Sequence, residues 1–290
     1  MTAIQTFDAL LPHGVTLACR RCGPPGAPRV LLLHGFPEAA FVWDEVMQAL
    51  AAQADCTAPN LRGYAGSSAP AEVEGYRARH LIGDLVALIE LLGAPIDLLV
   101  AHDWGGALAW GLAAQRPDVL KKLLIVNAPH PATFLRELRD NPLQQQASAY
   151  MNFLCRPDAA ALLAQDDFRR LWGFFTGMGG AAWLDEPTRA QYREVWRQGL
   201  EGPLNYYRAS PLRPGGTLHT LVLPREAVTV RVPTTVLWAE DDIALPPALL
   251  DGLGEFVPTL HVQRVPGATH WIVHEQPALV ADTIRRLLAA

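Results

Sequence analysis

Short β-rich runs bounded by turn residues recur along the chain, at residues 30–33, 98–101, 123–126, 234–238 and 261–265. Between several of them the apolar spacing lengthens to that of a helix. Leu81, Leu85, Leu88, Ile89 and Leu92 fall on one helical face, and a second helical pattern covers residues 107–115 and ends before Pro117. Continuous apolar strands that alternate with helices predict a mainly parallel sheet covered on both faces, an α/β fold.

From about His130 to Pro224 the alternation stops. This stretch is rich in Arg, Gln, Ala and aromatic residues (Phe153, Phe168, Trp172, Phe174, Phe175, Trp183, Trp196, Tyr206, Tyr207), with breaks at "GMGG" and "RPGG". Few β-branched residues precede Val222, so an inserted helical layer is expected, with the sheet resuming near Val232. The expected division is a core formed by residues 1–129 and 226–290, interrupted by a helical cap over 130–225. No internal repeat is evident.

Composition narrows the function. Half of the 290 residues are apolar, enough for a large core. The formal charge of -5 and the scattered arginines form no basic stripe, which argues against a nucleic-acid partner and for a small molecule. The start "MTAIQTFDALLPHG" lacks a basic segment followed by an apolar run, and no apolar stretch reaches membrane-spanning length. A cytoplasmic monomer or homodimer with no membrane partner is expected. Cys19 and Cys22 have redox or zinc spacing in "CRRC", but no second ligand pair accompanies them; with Cys56 and Cys155 they read as reduced thiols. His270 and His274 are four residues apart without a third ligand, so no metal is expected.

The stretch "LLVAHDWGGALAW" carries the chemistry. An apolar run stops at His102 and Asp103, and small residues then open a helix, the shape of the strand-to-helix elbow G-x-S-x-G with an aspartate at the serine position. None of the four serines (Ser67, Ser68, Ser148, Ser210) lies between a strand and a helix with small flanks, which argues against serine hydrolysis. A carboxylate is ionised at neutral pH without help, its unperturbed pKa being about 3.9. On an acyl carbon it would form a reactive anhydride; on a saturated carbon bearing a leaving group it forms an ordinary alkyl ester. Epoxides and haloalkanes are its natural electrophiles. Hydrolysis of the ester requires a water, a general base and stabilisation of the oxyanion on the aspartyl carbonyl.

Candidates for each role follow strand ends. In "LLLHGFPE" the Phe36 amide can join the Trp104 amide as an oxyanion hole, with His34 and Pro37 expected on the substrate-pocket wall. "VPGATHW" offers His270 as base, and "VLWAEDDIAL" offers Glu240, Asp241 and Asp242 as its orienting acid. The order nucleophile, acid, histidine is that of an α/β-hydrolase triad.

Taken together, "HGFPE", "RGYAGSS" and "HDWGG" resemble the α/β-hydrolase family and, within it, the soluble epoxide hydrolases, over nearly the whole chain. The resemblance puts the nucleophile at Asp103, the base at His270 and the acid at Asp242, since the family pattern Gly-Glu-x-Asp aligns with Ala239-Glu240-Asp241-Asp242; Asp241 is a lesser candidate. It also implies two cap tyrosines that meet the epoxide oxygen: Tyr150 in "YMNFLCRP", matching Tyr-x-x-aromatic-x-x-x-Pro, and Tyr207 in "GPLNYYRAS". An alkoxide leaving group needs a proton donor, and phenols remain protonated at neutral pH. No cofactor is implied. Departures from the family are Ala101 before the histidine, Asn60 before "LRGYAG" and Ala65 within it. Arg62 reads as a brace for its loop.

Two other functions fit parts of this pattern. A haloalkane or haloacid dehalogenase would use the same Asp103, although haloacetate enzymes place arginines where this chain has Trp104 and Ala107. A non-catalytic binding protein on the same fold would have no need to retain every candidate group.

Overall fold

The five expected runs are strands, and three more join them in one eight-stranded sheet. The computed structural model describes residues 3–177 and 181–290, so most of the expected "GMGG" break lies outside the described residues. In chain order the strands are β1 (Gln5–Leu10), β2 (Thr16–Cys22), β3 (Arg29–Leu33), β4 (Asp55–Pro59), β5 (Leu98–His102), β6 (Leu123–Val126), β7 (Thr234–Ala239) and β8 (Leu260–Val265). Their order across the sheet is β1-β2-β4-β3-β5-β6-β7-β8. The β1/β2 and β2/β4 pairs are antiparallel, and every other pair is parallel.

Sequence pattern explains which strands are central. Leu31–Leu33, Leu98–Ala101 and Leu123–Val126 have no exposed surface, as a strand covered on both faces requires. The edge strand β1 is mostly exposed, so it carries no continuous apolar run. Strand β4 is buried throughout but begins with Asp55, whose carboxylate accepts from the Arg21 guanidinium at 2.8 Å, and ends in Pro59. Neither residue advertises a strand.

Helices α1 (Asp44–Leu50) and α12 (Pro277–Ala289) pack together, as do α2 (Ala78–Leu92) and α3 (Asp103–Gln115). Between β6 and β7 the chain leaves the sheet for α4 (Pro131–Asp140), α5 (Pro142–Ala147), α6 (Tyr150–Leu154), α7 (Ala159–Thr176), α8 (Glu186–Arg197), α9 (Glu201–Ala209) and the short turn α10 (Arg225–Val228). Helix α11 (Ile272–Glu275) precedes α12. Among the described residues, no helix is long and apolar enough to cross a membrane.

Aromatic packing holds the inserted helices to the sheet. Phe175 of α7 lies 4.4 Å from Trp271, ring centre to ring centre, and the Trp196 indole of α8, itself 4.4 Å from Trp172 of α7, donates to the Pro37 carbonyl at 2.7 Å. A second tie is Tyr206, whose hydroxyl donates to the Arg62 carbonyl.

Arg62 itself grips the buried Asp84 in a two-pronged pair at 2.7 and 2.6 Å, and donates to the Gly75 carbonyl. His13 also reaches Asp84, at 2.7 Å. Arg62→Met should therefore lower folding stability by about 3 kcal/mol, because a buried carboxylate loses its main partner. Urea unfolding checks this; an unchanged midpoint would remove the pair from any bracing role.

Candidate active site

Five parallel strands deliver polar groups to one end of the sheet. The chain winds outward from β3 to β4 and then returns past β3 to β5, which makes the β3/β5 boundary a switch point of the topology. Crevices form beyond the carboxyl ends of strands at such points. Phe36 follows β3 and Asp103 follows β5, and they meet there: the Phe36 amide donates to Asp103 Oδ1 at 2.7 Å.

Asp103 occupies the left-handed region, with φ of 48°. That conformation costs a residue with a side chain about 1–2 kcal/mol, least for Asp and Asn. Clearance around it is minimal. A Cβ on Gly35 would come within 2.2 Å of Asp103 Oδ1, and one on Gly105 within 2.6 Å of the His34 carbonyl oxygen. The small residues after Asp103 are thus a packing requirement, and α3 starts at Asp103 itself, four residues before the expected 107. The Trp104 amide lies in the first turn of α3, where helix geometry provides no intrahelical acceptor.

His270 follows β8 and Asp242 follows β7. His270 Nε2 is 3.6 Å from Asp103 Oδ2, and His270 Nδ1 is 2.6 Å from Asp242 Oδ2. The Asp242 carboxylate also accepts from the Ala244 and Leu245 amides and from Asn127 Nδ2. Asp242 is buried, whereas Asp241 is exposed and Glu240 pairs with Arg264 at 3.2 Å. Burial pulls the His270 imidazole down, but the Asp242 and Asp103 carboxylates more than offset this and hold it well above its ordinary value. Burial pushes both carboxyls up in turn; the facing imidazole outweighs it, and both lie below the usual carboxylate value.

Two supporting residues escaped the sequence reading. Asn127 follows β6 with φ of 38°, accepts the Ala239 amide and donates to Asp242, so it clamps β6 to β7 just where Asp242 sits. Its signal was a polar, left-handed-tolerant residue directly after a buried strand, the same pattern that marks Asp103. Glu38, fully buried, lies 2.9 Å from His102 Nδ1, and His102 Nε2 donates to the His270 carbonyl. His274 turns away from His270: its Nε2 hydrogen-bonds with the Tyr192 hydroxyl at 2.7 Å, its ring stacks on Trp183, and burial pushes its pKa down to about 4. Asn60 accepts the Ala40 amide and donates to the Ala65 carbonyl, a job an aspartate could only half perform.

A cavity of about 370 Å³ opens over Asp103. Trp104, Tyr150, Tyr206 and Tyr207 are among its lining residues. Two of the lining phenols are tied to carbonyls, Tyr206 to that of Arg62 and Tyr76 to that of Pro70, which leaves Tyr150 and Tyr207, with ring centres 6.3 Å apart, as the lining phenols without a carbonyl tie. Burial, and then the neighbouring Asp103 charge for Tyr150 and Tyr150 followed by Asp103 for Tyr207, push both phenols above their ordinary value, so both stay protonated. His34 and Pro37 do not line this cavity, contrary to expectation. His34 is fully buried, accepts the Leu61 amide and is held neutral by burial, its pKa down to about 4; the Pro37 carbonyl is taken by Trp196. Adjacency to Phe36 in sequence put them near the site, but their side chains serve the packing around it.

Comparison with known proteins agrees with this architecture. The sequence pattern of the alpha/beta hydrolase fold family matches residues 28–277. The AB hydrolase superfamily protein YfhM of Bacillus subtilis is 33% identical, with 95% of each chain covered. An epoxide hydrolase from metagenomes of hot environments superposes with a TM-score of 0.88 at 34% identity, covering 99% of both chains. The epoxide hydrolase of Bacillus megaterium, solved with an inhibitor, gives 0.90 at 30% identity, covering 98% of this chain and all of that one. The chain belongs to the α/β-hydrolase family and is similar over nearly its whole length to epoxide hydrolases.

Proposed function

We propose that the protein hydrolyses epoxides to vicinal diols through an ester on Asp103, with no cofactor. The observation that carries this reading is the company Asp103 keeps: an ionised carboxylate at the elbow, with two protonated phenols on the wall of the same cavity. Oδ2 attacks a ring carbon, and the carbon–oxygen bond of the ring breaks. Tyr150 and Tyr207 donate to the departing oxygen, which would otherwise leave as a strongly basic alkoxide. Esterification removes the Asp103 charge, so the His270 imidazolium loses one of its two counterions and gives up its proton to the tyrosinate through solvent.

Neutral His270, oriented by Asp242, then takes a proton from water as the water attacks Cγ of the ester. The negative charge forms on Oδ1, which already accepts the Phe36 amide, and the Trp104 amide completes the hole. Collapse of this adduct frees the diol and restores the Asp103 carboxylate beside the imidazolium. One epoxide and one water are consumed per diol. The inserted helices act as a cap that supplies both phenols.

The phenols distinguish this chemistry from dehalogenation, because halide departs as a stable anion and needs no proton. Replacing both Tyr150 and Tyr207 with Phe should lower kcat/KM for styrene oxide by about 10³-fold or more. Diol formation is the readout for epoxides and chloride release for 1-chlorohexane. Unchanged epoxide turnover in the double variant, or chloride release by a wild-type protein that leaves epoxides intact, would overturn the assignment.

A further inference from the structure

We infer that the preferred epoxides carry one long, uncharged, apolar substituent that lies along α3 from the reacting ring toward Gln115. This rests on the epoxide reading of the same cavity and adds the substrate class. Asp103, Ala107, Gly111 and Gln115 all line the cavity, and their four-residue spacing puts them on one face of the helix. Twelve residues of helix span about 18 Å. The cavity lining beside them is apolar, with Leu81 and Ile82 from α2, Leu108 from α3, and Leu221, Leu223 and Val228 from the inserted segment.

The lining matches such a tail chemically. Apart from Asp103, no charged side chain lines the cavity among the described residues. One end holds Asp103 and the phenols. At the other end Gln115 and Ala78 are exposed, so the reacting ring sits inside and the tail points outward.

Gly111 marks the midpoint. Glycine is among the poorest helix formers, yet it sits in the interior of α3. A Cβ there would come within 2.8 Å of Ile82 Cδ1 on α2, which also lines the cavity. The missing side chain keeps the passage between α2 and α3 open. Gly111 is therefore a specificity-determining position that admits substituents reaching past the first two turns of α3.

Steady-state rates on 1,2-epoxybutane, 1,2-epoxyhexane, 1,2-epoxyoctane and 1,2-epoxydecane test this. Wild-type kcat/KM should rise by up to about fourfold per added methylene while the tail is being buried. In Gly111→Leu the ratio of kcat/KM for epoxydecane to that for epoxybutane should fall at least tenfold, with Gly111→Ala in between. A wild-type profile flat in chain length, or a Gly111→Leu variant that keeps the wild-type ratio, would overturn the inference. Failure of the epoxide reading looks different, since no epoxide of any length would then be opened. Binding of 1,2-decanediol against 1,2-butanediol, followed by tryptophan fluorescence, still decides the groove in that case: tighter binding of the long diol that Gly111→Leu abolishes supports it, and equal binding refutes it.

Discussion

Asp103→Asn should abolish diol formation, with kcat reduced by at least about 10⁴-fold, the scale seen when a covalent nucleophile is removed. The substitution is chosen to isolate chemistry from folding. Asn tolerates the left-handed backbone at this position nearly as well as Asp, and its side-chain oxygen can still accept the Phe36 amide. What it lacks is the negative charge that attacks carbon. Thermal unfolding should therefore change little while turnover disappears, and intact-protein mass should show no adduct with any epoxide. A variant retaining more than a small fraction of the wild-type rate would mean that Asp103 is not the nucleophile.

His270→Gln should stop the reaction halfway. Gln retains a donor toward the buried Asp242 but cannot accept a proton from water, so attack by Asp103 proceeds and ester hydrolysis does not. Incubation with styrene oxide should add the mass of one epoxide per chain, and peptide mapping should put it on Asp103. The same division sets the pH dependence of the wild type. Hydrolysis requires neutral imidazole, so kcat is lost as pH falls, and the alkyl-enzyme fraction rises in acid. Free enzyme holds the His270 proton tightly between two carboxylates; the ester cancels one of them. The acid limb of kcat should therefore lie below the His270 pKa titrated in the free enzyme by NMR. Rapid-quench mass measurements would refute this scheme if the adduct fraction grew with rising pH, or if the variant stayed unmodified.

How much of this was legible in the sequence depended on how local each cause was. Strands β3, β5, β6 and β7 were plain because burial on both faces forces continuous apolar runs. Strand β4 was not, because its Asp55 is tolerable only through Arg21 on neighbouring β2, a partner that pairing alone reveals. The small residues after Asp103 were read as opening a helix, but its pattern was followed only from Ala107, because Gly105 and Gly106 carry no side chain to show a period; the crowding against β3 and Ala128 is why they are small. Asp103 and His270 sit in local strand-end motifs that pointed to them, whereas the motif around Asp242 left Glu240, Asp241 and Asp242 open until the family pattern selected Asp242. Asn127 and Glu38 act across strands, so their roles appear only once the sheet order is known. His34 and Pro37 failed in the opposite way: proximity along the chain was taken for proximity to the cavity.

The position of the site at the β3/β5 switch also shapes how the molecule is made. Phe36, Asp103, Asn127, Asp242 and His270 come from five separate strand ends, and the full set meets only when the sequence between the first and last has folded. Parallel pairings of this kind close long loops and form slowly. The cluster therefore exists only in the completed sheet: until β7 and β8 are in place, Asp103 has neither Asp242 nor His270 near it, and on the proposed mechanism an ester formed there could not be cleared.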